Sequence, residues 1–495
     1  MVVLLLLAGA PTRAAAARPT ASPAVIDDQV VGGDPRVHEL TLQSPALGGT
    51  TKVRILLPPG YNAADAATRY PVLLLLHGVG DDQTSWTNHT DITAFTASTP
   101  LIIVMPDAGK TPSAGWYSDW VNGPAWESFH IGELLPLIDA TYRTVGTRES
   151  RAVAGFSMGG FGAMSYAARH PELFVAAAEF SGAVDTTFAG QGEATALELL
   201  STSVGTPSYS VWGPYETNEA RWRTHNPSDL ATNLQWTDLW LVSGNGVPRQ
   251  GDNPQAAPVE AGVYLMNLRF HDALLQHGVA HAWHDRGYGT HDWPYRELDF
   301  HAWLPQLLAI FAAPQPPPAA FDYRSAEPRF SVWDWQFETD RPGMQFVELT
   351  DVSFAGLTIT GSGPVSIASA AVYPPGSTQR ISSDTAAAID VVVDGDGRLV
   401  FTVDLGPGQA AAPSPLLGVQ VDALAADQRV TRTVTITDIS GRAPGSAAGA
   451  ATGADGRIGQ LPASGSSGFG WAGGALLAAT AVARWCRARA LLRAR

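Results

Sequence analysis

Cysteine is almost absent from this sequence. There is one in 495 residues, Cys486, close to the C-terminal end. The rest of the chain therefore has no disulfide, no thiolate nucleophile and no cysteine metal site. A cysteine-free body suits a protein exported into an oxidising space. Charge is sparse too. Asp, Glu, Lys and Arg together make up 16%, and 46 acidic residues against 31 basic ones give a net charge of −15. No basic run interrupts the body, which argues against nucleic acid as a partner. Hydrophobic residues, by contrast, reach 45%, with 50 Gly and 36 Pro. That composition supports a sizeable core with many turns, and the length predicts two or three domains.

Both ends read as processing signals. Residues 2–9 are VVLLLLAG, followed by APTRAAAARPTAS. An apolar run before small residues predicts a signal peptide over residues 1–17. The competing reading is a disordered Ala-rich terminus. At the other end, residues 461–465 are LPASG. An apolar stretch follows, Phe469 to Ala483, and then Arg484, Arg487, Arg489, Arg493 and Arg495. This order resembles the sortase sorting signal of Gram-positive cell-wall proteins. The resemblance implies cleavage between Ser464 and Gly465, with Ser464 joined to peptidoglycan. Ser464 stands where Thr is usual. The alternative is a retained transmembrane anchor with its basic end inside, although the stretch is shorter than the roughly 20 residues of a full span. Either reading predicts a secreted protein held at the cell wall or membrane.

Residues 36–312 alternate apolar runs with helical patterns. The expected strands are Val53–Leu57, Val72–Leu76, Ile102–Met105, Arg151–Ala154, Ala176–Phe180, Leu239–Val242 and His281–His284. Helical patterns cover Ser128–Tyr142, Gly160–Arg169 and Val263–His277. Alternation of this kind predicts a doubly wound, mostly parallel sheet with its site at the C-terminal strand ends. Residues 313–320, APQPPPAA, form a stiff proline-rich linker. Beyond it, residues 321–440 predict a small all-β domain, an immunoglobulin-like sandwich. Its expected strands are Gln345–Val352, Gly356–Thr360, Ala387–Val393, Arg398–Val403, Gly418–Val421 and Val430–Thr437. It carries no motif, and its expected role is a spacer or a wall- or glycan-facing module. Residues 441–460 read as a flexible tether and residues 461–495 as the sorting signal.

Residues 155–159 are G-F-S-M-G, the pattern of a nucleophile elbow. A serine at a sharp strand-to-helix turn presents its hydroxyl at the helix N-terminus, where the dipole favours developing negative charge. The glycines leave room for the neighbouring strand and helix. Arg151–Ala154 supply the strand, and Gly159 and Gly160 open the helix. Ser157 is the candidate nucleophile of an α/β-hydrolase. Its base should be a histidine late in the domain. His291, in the loop G-T-H-D-W-P-Y after the last strand, fits. His271, His277, His281, His284 and His301 fall on helix or strand positions. The third member should be acidic and follow Leu239–Val242. Asp252, Glu260 and Asp285 all qualify, and the pattern leaves them open.

These residues resemble the antigen 85 mycolyltransferases and related esterase-D-like esterases over most of residues 50–305. The likeness rests on WYSDW (116–120), WESF (126–129), the elbow, WGP (212–214), Asn226-Pro227, LWLVSGNG (239–246) and GTHDWPY (289–295). It implies Glu260 as the acid, in P-V-E-A-G, with Asp252 second. It also implies an oxyanion hole from the backbone N–H groups of Met158 and Val79. Trp293 matches an aromatic near the site. Trp293 and His77 are candidate substrate contacts, although a His-Gly pair at this strand end is also a structural feature of the fold. Where mycolyltransferases contact trehalose through an Asp and an Arg, this chain has His77 and Gly80. Arg296 stands where a Trp is common. Trehalose recognition is therefore not implied.

The expected function is a serine esterase acting on small-molecule, polysaccharide or lipid esters, without metal or cofactor. An acyltransferase to a sugar or glycerol acceptor is the alternative. A non-catalytic surface adhesin is a third reading, disfavoured because all three triad positions are filled.

Overall fold

Nine strands form one sheet. They are β1 (Ala24–Val30), β2 (Val37–Ser44), β3 (Gly49–Leu56), β4 (Val72–Leu76), β5 (Ile102–Pro106), β6 (Arg151–Phe156), β7 (Ala176–Phe180), β8 (Asp238–Ser243) and β9 (Ala282–Asp285). Their order is β1-β2-β3-β5-β4-β6-β7-β8-β9. The run from β5 to β9 is parallel, and β1, β2 and β3 extend it antiparallel. Strand β4, VLLLL, is buried along its whole length, as a central strand covered on both faces must be. The chain leaves β4 toward β5 on one side and returns to β6 on the other. This reversal opens a crevice at the strand ends, where sites of such sheets lie.

This computed structural model describes residues 22–109, 114–188, 209–408 and 429–440. The expected signal peptide, the tether, Ser464, Gly465, Cys486 and the strand Gly418–Val421 lie outside the described residues. Among the described residues, no helix is long and apolar enough to cross a membrane.

Two expected strands, Val72–Leu76 and Ala176–Phe180, keep their boundaries. The helix expected over Ser128–Tyr142 differs. It starts as a π-helix, Ser128–Leu134, with the Leu135 N–H reaching back to the His130 carbonyl. It continues as helix α1 (Leu135–Thr141). Pro136 has no N–H to continue a regular ladder across the junction. Helix α2 (Met158–Arg169) packs on β6 and β7 through small residues. A Cβ on Gly155 would lie 2.2 Å from the Gly159 carbonyl oxygen, and one on Gly159 would lie 2.5 Å from that of Leu76. Helix α3 (Ala257–Gln276) begins six residues earlier than expected. Helix α4 (Trp293–Ala312) is capped by the Asp292 carboxylate, which accepts the Trp293 N–H at 2.8 Å. Strands β1 and β2 were not expected. Strand β1 is exposed at every residue, so backbone pairing rather than burial defines it.

The C-terminal region is all-β. One sheet holds β10 (Phe321–Ser325), β13 (Val347–Ser353), β14 (Gly356–Gly361), β16 (Thr378–Ser383), β17 (Ile389–Val392) and β19 (Val430–Asp438). The other holds β11 (Arg329–Val332), β12 (Trp335–Thr339), β15 (Gly363–Ala368) and β18 (Val400–Leu405). All pairs are antiparallel. Leu349 and Ile359 from one sheet share a core with Phe337 and Ile367 from the other.

This region is docked on the α/β layer. Asn233 and Arg324 exchange two hydrogen bonds, at 3.0 and 2.8 Å. Tyr323 Oη donates to the Arg169 carbonyl at 2.9 Å. Arg148 donates to the carbonyls of Pro171, Trp236 and Gln315 and lies 5.2 Å from the Trp333 ring centre. Gln315 belongs to the proline-rich segment, so Arg148 ties that segment to both neighbours.

Candidate active site

Ser157 sits where β6 turns into α2, at φ 58° and ψ −116°. A positive φ is costly for any residue with a Cβ. The surroundings impose it: the Ser157 N–H bonds the Phe180 carbonyl, and its own carbonyl accepts from Phe161 and Ala183. The hydroxyl faces His291, with Oγ to Nε2 at 2.8 Å. On the far side of the ring, Nδ1 lies 2.7 Å from Glu260 Oε2. A carboxylate at Nδ1 holds the proton there and leaves Nε2 to accept from the serine. Glu260 is fully buried in the first turn of α3. The other two acids are elsewhere: Asp252 accepts from Tyr295 Oη at 2.8 Å and Asp285 from Tyr264 Oη at 2.7 Å. The competing histidines are also engaged away from Ser157. His271 pairs with His281, and His301 with Asp91. His284 lies against Trp240 with ring centres 3.8 Å apart, and His277 meets Thr232.

Glu260 has a second set of partners that sequence reasoning missed. Its Oε1 accepts from Ser181 Oγ at 2.6 Å and from the Gly244 N–H at 2.7 Å. Arg296, fully buried on α4, places Nη2 3.5 Å from the same oxygen and donates through Nη1 to Ser181 Oγ. Burial alone would raise the Glu260 pKa. The Arg296 charge and the His291 hydrogen bond outweigh it and hold the carboxyl well below the usual range. Beneath this group lies Glu179, also fully buried. Its carboxyl accepts the N–H groups of Gly182 and Val242, yet burial pushes its pKa up to about 8.

Met158 is the first residue of α2, so its N–H has no partner one turn back. Val79 follows Gly78 on the loop after β4. A Cβ on Gly78 would stand 3.1 Å from Asp81 Oδ2 and 3.4 Å from Ser157 Cβ, which shows how closely this loop approaches the serine. Burial raises the Asp81 pKa, making it another polar group beside the site that the sequence did not single out. Trp293 is half-buried, 5.3 Å from Phe156 and stacked on His89 at 5.1 Å.

His77 is not available as a substrate contact, and that expectation is corrected. The ring is buried, with 1% of its surface exposed. Its Nε2 accepts the Ala108 N–H at 3.0 Å, which leaves Nδ1 to donate to the Gly78 carbonyl at 2.8 Å. Both nitrogens are spent pinning the loop that carries Val79. The WYSDW stretch supports the same loop. Trp116 and Tyr117 adopt positive φ, and Tyr117 Oη donates to the His77 carbonyl at 2.9 Å. Gly162 makes room for that ring: a Cβ there would meet Tyr117 at 2.5 Å.

Comparison with known proteins assigns the chain to a family. The Esterase family model matches residues 44–313, more than half of the chain. The chain belongs to the esterase family. Esterase Rv1288 of Mycobacterium tuberculosis is 36% identical over 259 residues, 51% of this esterase-family chain. The match spans 55% of that relative's length. Diacylglycerol acyltransferase/mycolyltransferase Ag85B of Mycobacterium leprae is 30% identical over 296 residues, covering 56% of this chain and 86% of Ag85B. The match to Ag85B places the chain in the antigen 85 and esterase-D-like group. Among solved structures, a ferulic acid esterase covers 55% of this chain and 98% of its own at 26% identity, with a TM-score of 0.43.

Proposed function

We propose that this protein is a secreted serine esterase that hydrolyses carboxylic esters through an acyl-enzyme. The observation that carries the reading is the unbroken hydrogen-bonded series Ser157–His291–Glu260 at the C-terminal strand ends. As Ser157 Oγ bonds to the ester carbonyl carbon, His291 Nε2 takes the hydroxyl proton. The carbonyl π electrons move onto oxygen, which rests against the N–H groups of Met158 and Val79. When the intermediate collapses, the C–O bond to the alcohol breaks and His291 returns its proton to that oxygen. Water then attacks the acyl-enzyme by the same route, releasing the acid and restoring Ser157. Glu260, kept ionised by Arg296, stabilises the imidazolium. The cycle uses no metal or cofactor.

The substrate class is a small-molecule, polysaccharide or lipid ester, consistent with relatives named as esterases. A second reading is favoured by the Ag85B match. In it, a sugar or glycerol hydroxyl replaces water in the second step, making the protein an acyltransferase. We place the protein outside the cell, held by sortase-mediated joining of Ser464 to peptidoglycan or by a retained anchor. The apolar N-terminus and the LPASG tail support this location.

The test is a fluorophosphonate probe with p-nitrophenyl acetate. The wild type is expected to be labelled on the Ser157 peptide and to turn over the ester, and Ser157→Ala to do neither. Equal labelling of both proteins, or inertness of the wild type on short, long and aromatic esters, would overturn the reading. Faster turnover with added glycerol or trehalose would favour the transferase.

A further inference from the structure

A cleft of about 400 Å³ lies between the α/β layer and the β region. Arg169 and His170 line one side, and Glu327, Arg329, Phe330, Gln336 and Glu338 line the other. We propose that this cleft binds a neutral polysaccharide chain and holds the enzyme on it. This goes beyond the esterase reading and does not depend on Ser157.

The arginines at the cleft are paired with carboxylates. Arg169 pairs with Glu127 at 2.9 Å and with Glu327 at 3.4 Å, and His170 meets Glu127 at 2.8 Å. Arg329 pairs with Glu338, Nε to Oε1 at 2.8 Å. With both arginines already facing carboxylates, the cleft offers no unpaired guanidinium to a phosphate or an anionic polymer. Its remaining hydrogen-bonding groups are neutral. The Gln336 amide and the Ser331 and Ser366 hydroxyls line the cleft, and none bonds to another described side chain. Beside them, Phe330 is half-buried and stacks on Phe337 with ring centres 5.0 Å apart. Uncharged donors and acceptors next to a ring match a ligand dense in hydroxyls with apolar C–H faces, which is a sugar ring. The volume admits one or two such rings, within the range of small-molecule sites.

Position separates this cleft from the chemistry. Arg169 is the last residue of α2 and Ser157 caps its start. Twelve residues at 1.5 Å each put the helix ends about 18 Å apart. A sugar ring seated in the cleft is a helix length from the serine hydroxyl, so the site anchors the polymer rather than placing that ring at the reaction.

Native electrophoresis of the full chain through gels containing arabinoxylan, galactomannan or β-glucan tests the proposal. Polygalacturonate serves as the anionic control. The wild type and Ser157→Ala are expected to be retarded equally by at least one neutral polymer. The double variant Phe330→Ala/Gln336→Ala should weaken retardation at least tenfold while keeping p-nitrophenyl acetate turnover within twofold. Ser366→Trp, at an exposed position, should block the cleft without disturbing the core. The proposal is overturned by no retardation in any neutral gel, by retardation from polygalacturonate alone, or by retardation that both cleft variants retain. Retardation of an enzyme inert on esters would sink the esterase reading and leave this one standing.

Discussion

Arg296 and Glu260 form a fully buried ion pair directly behind the candidate catalytic histidine, with Nη2 3.5 Å from Oε1 and Ser181 bridging both. The pair explains how a carboxyl with no solvent contact stays ionised. It also gives a role to Arg296, which carries no local signal in the sequence. Replacing it leaves Glu260 buried without its cation. Arg296→Met should therefore raise the Glu260 pKa and move the acidic limb of kcat/KM to higher pH. At neutral pH we expect kcat/KM to fall about 10- to 100-fold. Arg296→Lys keeps a charge and should move the limb less. Breaking a buried pair also costs stability, about 3–5 kcal/mol, so the profiles are to be measured well below each melting temperature. A lower melting temperature with an unmoved limb would make Arg296 purely structural.

The proposed triad predicts losses of similar size that do not add. His291→Ala removes the proposed base, and Glu260→Gln keeps the shape but loses the charge proposed to favour the imidazolium. Each should lower kcat for p-nitrophenyl acetate about 10³- to 10⁴-fold. Combined with Ser157→Ala, neither should lower it much further, because the three act as a unit. Losses that multiplied instead would mean the residues work independently.

The sequence made some of this site readable and hid the rest. Ser157 was legible because a nucleophile elbow confines its requirements to five consecutive residues. His291 was legible from chain order and its loop. Glu260 was not separable from Asp252 and Asp285 by pattern, and only the family likeness favoured it. Ser181 and Arg296 carried no local signal: they meet across 115 positions, and only the packing of α4 on the sheet joins them. His77 was read both as a substrate contact and as a structural His-Gly feature, and its buried ring, with both nitrogens on backbone partners, fits the second. In the β region, β10, β11, β12, β15 and β16 were missed. They are four to six residues long, and although β10 and β12 alternate buried with half-buried residues, so short a run carries little periodic signal.

Arg148 offers a test of the docking between the two regions. Its guanidinium serves three carbonyls and the Trp333 ring. Arg148→Ala would leave those carbonyls short of a donor, at about 1–3 kcal/mol for each one left without solvent. We expect a clear fall in melting temperature and faster proteolysis within residues 313–320. Ester turnover should stay within twofold, because Arg148 precedes β6 at the end remote from Ser157. Unchanged proteolysis would show that the segment is held by other contacts.

Glu179 gives a prediction whose sign follows from linkage. Its folded pKa is raised to about 8 from an ordinary 4.5. Between those values the folded protein holds a proton that the unfolded chain has released. Stability must therefore fall as pH rises from about 4.5 to 8, and level off above it. The slope from this one group amounts to a few kcal/mol across the window, on the order of one per pH unit. Glu179→Gln presents a neutral group of the same shape to the Gly182 and Val242 N–H groups and cannot ionise. Urea denaturation at pH 5, 6.5 and 8 should show the wild type losing stability relative to the variant with rising pH. If the two curves run parallel, Glu179 is already ionised at pH 5. In that case Arg296 and the two N–H groups outweigh its burial, and the charge reaches Glu260 as a second anion rather than as a neutral neighbour.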